Sequence, residues 1–426
     1  MISLHFIRFY FVVSFCLSLS VYGQEPTLII ENGRVIIGDG LVLEQATVAL
    51  DGERILSVTQ EPIISSTVKR IDATGKTVMP GLIDAHVHLT VPMAKDLETF
   101  NVFLSDTLPY VLKEFLRHGI TTVRSTGDAW PYIGEVRDQI NAGKLEGPRI
   151  LTSGPVLTYK EGHPANTVCK GNPLCRKLVT RELGTPEEAK IVVQQLAKEG
   201  VDFIKFVSDS ILYPVSLPND IEEAIIQQAH KEYKQAVAHI AEVSFIERAV
   251  ENGLDGLVHA PNMPFSVETA KNMGKILAKH HVPYTTTITP YIVFYLPSKE
   301  AFRTEGVKKR KEAGSRFNEM NAMGAQMLVG TDWTSWTADK GPNFGPGAML
   351  LTEMIHLVKG GIPVLEVIKA TTLSSAQILG LDKKTGSLEP GKQADILIVD
   401  GNPLEDINAL KKTVYVLKGG GTVFSK

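Results

Sequence analysis

Between residues 81 and 379 the chain repeats one pattern: a short apolar run, a polar residue where the run stops, then a longer amphipathic stretch. The apolar runs are Leu82–His88, Ile120–Arg124, Arg149–Ser153, Phe203–Val207, Gln235–His239, Gly256–His259, Pro283–Ile288 and Ala325–Gly330. Between them lie helical candidates such as Pro186–Glu199, Asp220–Tyr233, Val243–Asn252 and Val267–His281. Strands joined by helical crossovers pair in parallel, because the crossover returns the chain to start in the same direction. The strand count and a helical tail after the last strand predict an α/β fold, a (β/α)8 (TIM) barrel over residues 81–379. A doubly wound open sheet is the alternative, but no Gly-x-Gly-x-x-Gly follows the first strand.

The two chain ends have a different texture. Residues 27–78 are β-branched runs broken by Asn32-Gly33, Gly38-Asp39-Gly40 and Asp51-Gly52, which are hairpin signals. Ala394–Val399 and Thr413–Leu417, followed by Gly419-Gly420-Gly421, repeat that texture. Segments 24–80 and 380–426 therefore predict one small β-sandwich domain assembled from both ends. Residues 1–23 read as a signal peptide: Arg8, an apolar run Phe9–Leu19, and small residues Val21 and Gly23 before Gln24. That run falls short of the roughly 20 residues a membrane span needs, although an uncleaved anchor is the competing reading. The expected location is outside the cytoplasm, periplasmic or secreted. In that setting Cys169 and Cys175, close together in a loop, are a candidate disulfide.

Formal net charge is −3, with no long run of one sign. That excludes the basic footprint of nucleic-acid or anionic-membrane binding. The expected partner is a small-molecule substrate, with no nucleic acid and no membrane in the mature form; homo-oligomerisation stays open.

A barrel carries its chemistry at the C-terminal ends of its strands. Here those ends are polar again and again. The first strand ends Asp84-Ala85-His86-Val87-His88. Side chains alternate along a strand, so His86 and His88 share a face and can reach one metal ion. Lys205 sits among apolar neighbours in the fourth strand. A buried lysine is rare, and burial lowers the pKa of its amine. His239 and His259 end the fifth and sixth strands, and Asp332 follows the eighth. Each alone has an ordinary explanation: a packed histidine, a lysine reaching solvent, an aspartate capping a helix. Together they form a nitrogen and carboxylate set suited to Zn²⁺, with Fe, Mn or Co as alternatives, and point to metal-assisted hydrolysis. Arg124, Tyr159, His163, Arg176, Tyr213 and Tyr291 are candidates for holding a substrate from the loops.

The set resembles the amidohydrolase superfamily of metal-dependent hydrolases. The resemblance rests on Val78-Met79-Pro80, Gly81-Leu82-Ile83-Asp84-Ala85-His86-Val87-His88, and Gly386-Ser387-Leu388-Glu389-Pro390-Gly391-Lys392-Gln393-Ala394-Asp395-Ile396. Within it the chain is most similar to the branch of Xaa-Pro dipeptidases and N-acyl amino-acid hydrolases, through Ile204-Lys205, Ala229-His230 and Val237-Ala238-His239. That branch commonly has Ile-Glu-His at the sixth strand, where this chain has Leu257-Val258-His259. The resemblance implies two divalent ions, Zn²⁺ foremost. It places His86, His88 and Asp332 on one, His239 and His259 on the other, and a carboxylated Lys205 between them. It implies hydrolysis of a C–N bond by a hydroxide bridging the metals, with Asp332 as the proton carrier. Two alternatives remain. One is a mononuclear deaminase or cyclic-amide hydrolase using His86, His88, Asp332 and one more histidine. The other is an exported binding protein on the same barrel with no catalysis.

Overall fold

The computed structural model describes residues 25–65, 67–209, 215–259, 265–289, 299–335 and 342–426. The signal-peptide reading of residues 1–23, and Tyr213 and Tyr291, lie outside the described residues. Among the described residues no helix is long and apolar enough to cross a membrane.

The two chain ends meet in one mixed sheet. From the first end come β1 (Leu28–Ile36), β2 (Val42–Asp51), β3 (Arg54–Thr59), β4 (Lys69–Asp72) and β5 (Lys76–Pro80). From the last come β16 (Ile396–Asp400), β17 (Thr413–Lys418) and β18 (Gly421–Ser425). The order is β18-β17-β16-β5-β1-β2-β3, with β4 also on β1, and the antiparallel β5–β16 pairing joins the ends. Alternation along these strands builds two cores. Val78, Ile396, Ile398 and Leu417 point into a small core of the sheet's own. Met79, Leu397, Val399 and Val416 point the other way, into the main core. Asp51-Gly52 and Gly419-Gly420 make hairpin turns as their residue types suggest. Asn32-Gly33 does not. β1 runs straight through that dipeptide, which forms a bulge where the parallel partner changes from β4 to β5. Asn32 takes φ +63°, and a Cβ on Gly33 would lie 2.9 Å from both Ala73 and Val78. The dipeptide serves close packing there rather than chain reversal.

The middle of the chain is an α/β arrangement of parallel strands. β6 (Leu82–Val87), β7 (Ile120–Ser125) and β8 (Arg149–Thr152) form one sheet. β9 (Val156–Tyr159), β10 (Thr180–Leu183), β11 (Ile204–Val207), β12 (Ala236–His239), β13 (Gly256–Leu257), β14 (Tyr284–Thr286) and β15 (Met327–Val329) contribute to the second, ordered β10-β9-β11-β12-β13-β14-β15. The third strand of the sequence pattern is thus two. β8 pairs with β7, the chain bends at Gly154, and β9 pairs with β11. At the other seam Val87 bridges Trp333 in parallel, and His86 O accepts from Asp332 N at 2.8 Å. The helices follow their sequence signals. Pro186–Glu199 starts at Thr185, whose hydroxyl caps Glu188 N, carries Glu187 and Glu188 in its first turn, and stops at Gly200 with φ +92°. Its buried residues Ala189, Val193 and Leu196 recur at helical spacing.

Cys169 and Cys175 are bonded to each other. They do not lie on an open loop. They are buried with Phe100, Ala129 and Val179 in a satellite core, Cys175 within the helix Pro173–Val179. Asn172 anchors this module: its Oδ1 caps Cys175 N, and its Nδ2 donates to Pro92 O and Ala94 O. The disulfide therefore closes a short loop in the segment after β9, and Asn172 within that loop fastens it to the segment that follows His88. Cys169→Ser with Cys175→Ser is expected to lower stability by about 2 kcal/mol, the entropy of so short a loop. Thermal melts with and without reductant check it. A reductant-sensitive melt for the wild type and an insensitive one for the double variant is the expected result.

Candidate metal centre

His86 and His88 leave β6 on one face, as strand alternation requires. Their Nε2 atoms are 3.3 Å apart. Asp332, reached from the far end of the sequence by β15, places Oδ1 3.2 Å from His86 Nε2 and 3.0 Å from His88 Nε2. Two backbone features hold it there. Asp332 has φ +55°, a conformation few side chains adopt but aspartate tolerates. Gly330 just before it passes so close to β6 that a Cβ would lie 2.7 Å from His86 Cβ and Thr285 Cγ2.

The ring tautomers follow from the partners. His86 Nδ1 faces Val258 O at 2.5 Å, and His88 Nδ1 faces Gly127 O at 2.6 Å. A carbonyl only accepts, so both Nδ1 atoms carry the proton. Burial pushes His86 down to about 3 despite the opposing charge of Asp332, so its Nε2 presents a lone pair. Burial works against ionisation of Asp332, but His86 and His88 hold its carboxyl well below the usual range. Imidazole nitrogens and a carboxylate oxygen thus converge face to face. One shared proton could mediate only one of those contacts; a cation mediates all three. The donor set fits a divalent metal, with the outer nitrogens tied to carbonyls as metal-bound histidines require.

The other sequence candidates adjoin this group. The rings of His259 and His86 have centroids 4.4 Å apart, and those of His239 and His259 4.5 Å. His259 Nδ1 lies 3.0 Å from Thr287 Oγ1. Lys205 is 3% exposed on β11. Burial lowers its amine to about 7, against the pull of Asp332 and with the push of Arg124. Among the described residues the tight three-donor group is His86, His88 and Asp332; His239 and His259 stand outside it.

Supporting groups appear that the strand-end pattern did not single out. Asp128 accepts from Leu89 N at 2.9 Å, Thr90 N at 2.5 Å and Ser125 Oγ at 2.5 Å, pinning the chain just after His88. Asp209, fully buried beyond β11, sets Oδ2 3.4 Å from His239 Nε2. Both lie two or three residues past a strand end, where their position is the only signal. Of the loop candidates, His163 is beside the site, its ring 5.2 Å from that of His239. Tyr159 ends β9, half-buried. Arg124 is not in a loop: it is a strand residue of β7, 3% exposed, its guanidinium turned inward. Arg176 is spent on Glu182, at 2.6 Å, and Glu161. Each arginine already donates to the protein's own groups.

The amidohydrolase family model matches residues 77–423. The chain belongs to the amidohydrolase family. Members of this family hydrolyse carbon–nitrogen bonds, and so does this chain. The ochratoxinase of Aspergillus niger is 25% identical over 444 residues, which cover 93% of this chain and 86% of that protein. The imidazolonepropionase of Alkaliphilus metalliredigens is 24% identical, over 90% of this chain and 92% of its own. The crystal structure of a Xaa-Pro dipeptidase with bound methionine matches with a TM-score of 0.77 and 24% identity, covering 94% of this chain and 100% of that one. The dipeptidase structure shares the fold; the donor geometry above is this chain's own.

Proposed function

We propose that this chain is a two-metal amidohydrolase that cleaves an amide or peptide-like bond, in dipeptides or N-acyl amino acids. The observation that carries this is the convergence of His86, His88, Asp332, His259, His239 and Lys205 from five different strands or strand ends. One ion would be held by His86, His88 and Asp332, the other by His239 and His259, with a carboxylated Lys205 joining both. Zn²⁺ suits the donors best. When bound, such ions polarise a carbonyl and bring the pKa of water from 15.7 to about 7. The chain does the rest. Asp332, kept ionised, takes the proton of the attacking water at a carboxylate oxygen and delivers it to the leaving nitrogen. His163, beside His239, orients the substrate.

Lys205 suits carboxylation because its amine is lowered to about 7. Near neutral pH a far larger share of it is then uncharged than the fewer than roughly one in a thousand of an ordinary lysine near 10.4. The same reading takes the parallel strands over 81–379 as a (β/α)8 barrel and the mixed sheet of 24–80 and 380–426 as part of a small β-sandwich domain. The Cys169–Cys175 bond favours export after loss of a 1–23 signal peptide. One observation favours a one-metal centre instead: the tight donor group stops at His86, His88 and Asp332.

The test is a hydrolysis screen of the zinc-loaded protein against dipeptides, N-acyl amino acids and cyclic amides. Turnover of a linear amide, lost on chelation and regained with about two equivalents of Zn²⁺, is expected. Full activity with one equivalent, confined to cyclic amides, would establish the one-metal reading in its place.

A further inference from the structure

Arg124 is a buried cation that the chemistry above does not use. It rises from β7 into the interior, 3% exposed. Its Nε donates to Ala85 O at 2.8 Å, and one terminal nitrogen donates to Thr285 Oγ1 at 3.0 Å. Both acceptors are neutral. Among the described residues no carboxylate forms an ion pair with it. Asp84 attracts it from further off, without a direct contact, and burial raises the Asp84 carboxyl to about 7, which weakens it as a counter-charge. A guanidinium stays charged in a protein, and burying a charge without a counter-charge is costly.

Its position suggests the missing counter-charge. The guanidinium carbon lies 5.6 Å from the centroid of the Phe203 ring. Phe203 packs with Val237 and Val258 in the innermost apolar layer. Lys205 lies two residues further along the same chain, close enough for the Arg124 charge to act on its amine. Ala85, whose carbonyl the guanidinium grips, immediately precedes His86. Arg124 is therefore anchored to the residue next to one proposed ligand and acts on another, Lys205.

We propose that Arg124 is a positioning residue whose fixed positive charge favours the anionic, carboxylated form of Lys205. This rests on the carboxylated-lysine reading and gives it a cause within the chain. The step balances without any redox partner. The lone pair of neutral Lys205 Nζ forms a bond to the carbon of dissolved CO₂. One C=O electron pair moves to oxygen, and the nitrogen gives up one proton to water. A neutral amine has become a carbamate of charge −1, near which a cation is already in place. An opposite charge within about 10 Å of the carbamate, at an interior dielectric near 20, would favour it by more than about tenfold.

The experiment follows the carbamate itself. Metal-free protein is titrated with ¹³C-bicarbonate and Zn²⁺, the carbamate is read by ¹³C NMR, and bound zinc is counted, with a melt to confirm folding. In Arg124→Gln the bicarbonate needed for half-carboxylation should rise at least about tenfold, and excess bicarbonate should restore both the carbamate and the second zinc. Arg124→Lys should fall between. Thr285→Val, which removes only the hydroxyl that holds the guanidinium, should raise the requirement severalfold and decides the matter if Arg124→Gln does not fold. Wild-type bicarbonate dependence in a folded Arg124→Gln, or in Thr285→Val when that variant must decide, overturns the inference and leaves the lysine reading intact. A wild type that shows no carbamate at any bicarbonate concentration overturns both.

Discussion

Asp332→Asn should lower turnover by about 10²–10⁴-fold while leaving most of the metal bound. The asparagine keeps the size of the side chain and one oxygen for the cation. It loses the negative charge and the ability to carry a proton. Five of the six proposed ligands remain, so zinc content should fall far less than activity. The backbone should hold as well, because Asp332 N donates to His86 O and Thr331 ties to Asp84 regardless of the side chain at 332. Turnover by steady-state kinetics, zinc by elemental analysis and a melt separate the roles. Full activity in the variant would remove Asp332 from proton transfer. Loss of zinc in step with activity would make it a ligand only.

Lys205→Ala should cost more than the roughly 10–100-fold typical of losing a group that merely supports a ligand. It removes the only side chain offered as common to both ions. Because Lys205 is 3% exposed, its loss also leaves a buried hole. A short carboxylate such as acetate or propionate can occupy that hole and offer two oxygens in place of the carbamate. Activity and zinc content should therefore return together as propionate is added. A variant that matches the wild type in zinc and turnover would show that Lys205 plays no part. An inactive variant with full zinc and no response to propionate would show that it acts without bridging metals.

Much of the site was legible in the sequence because strand alternation is a strict rule. His86 and His88 had to share a face once Leu82–Val87 was a strand. Asp332 could be brought to them across the whole middle of the chain only by topology, and the recurrence of strands supplied that topology. Helix limits were legible where caps are written in residues, as at Thr185 and Gly200. Three features were not. The break of the third strand at Gly154 looks locally like an ordinary strand end, and only pairing partners reveal that β8 and β9 belong to different sheets. Asn32-Gly33 carries hairpin residues, yet the same left-handed preference serves a bulge, and the choice is made by packing against Ala73 and Val78. Arg124 reads as a polar residue at a strand end, indistinguishable in sequence from a substrate-binding arginine. Its inward course depends on Ala85 and Thr285, which lie on other strands.

The most direct test is an anomalous-scattering map from crystals grown with Zn²⁺ and bicarbonate. Two peaks are expected, one against His86, His88 and Asp332 and one against His239 and His259, with added density on Lys205 Nζ between them. A single peak at the His86 side, above an unmodified Lys205, would contradict the two-metal account.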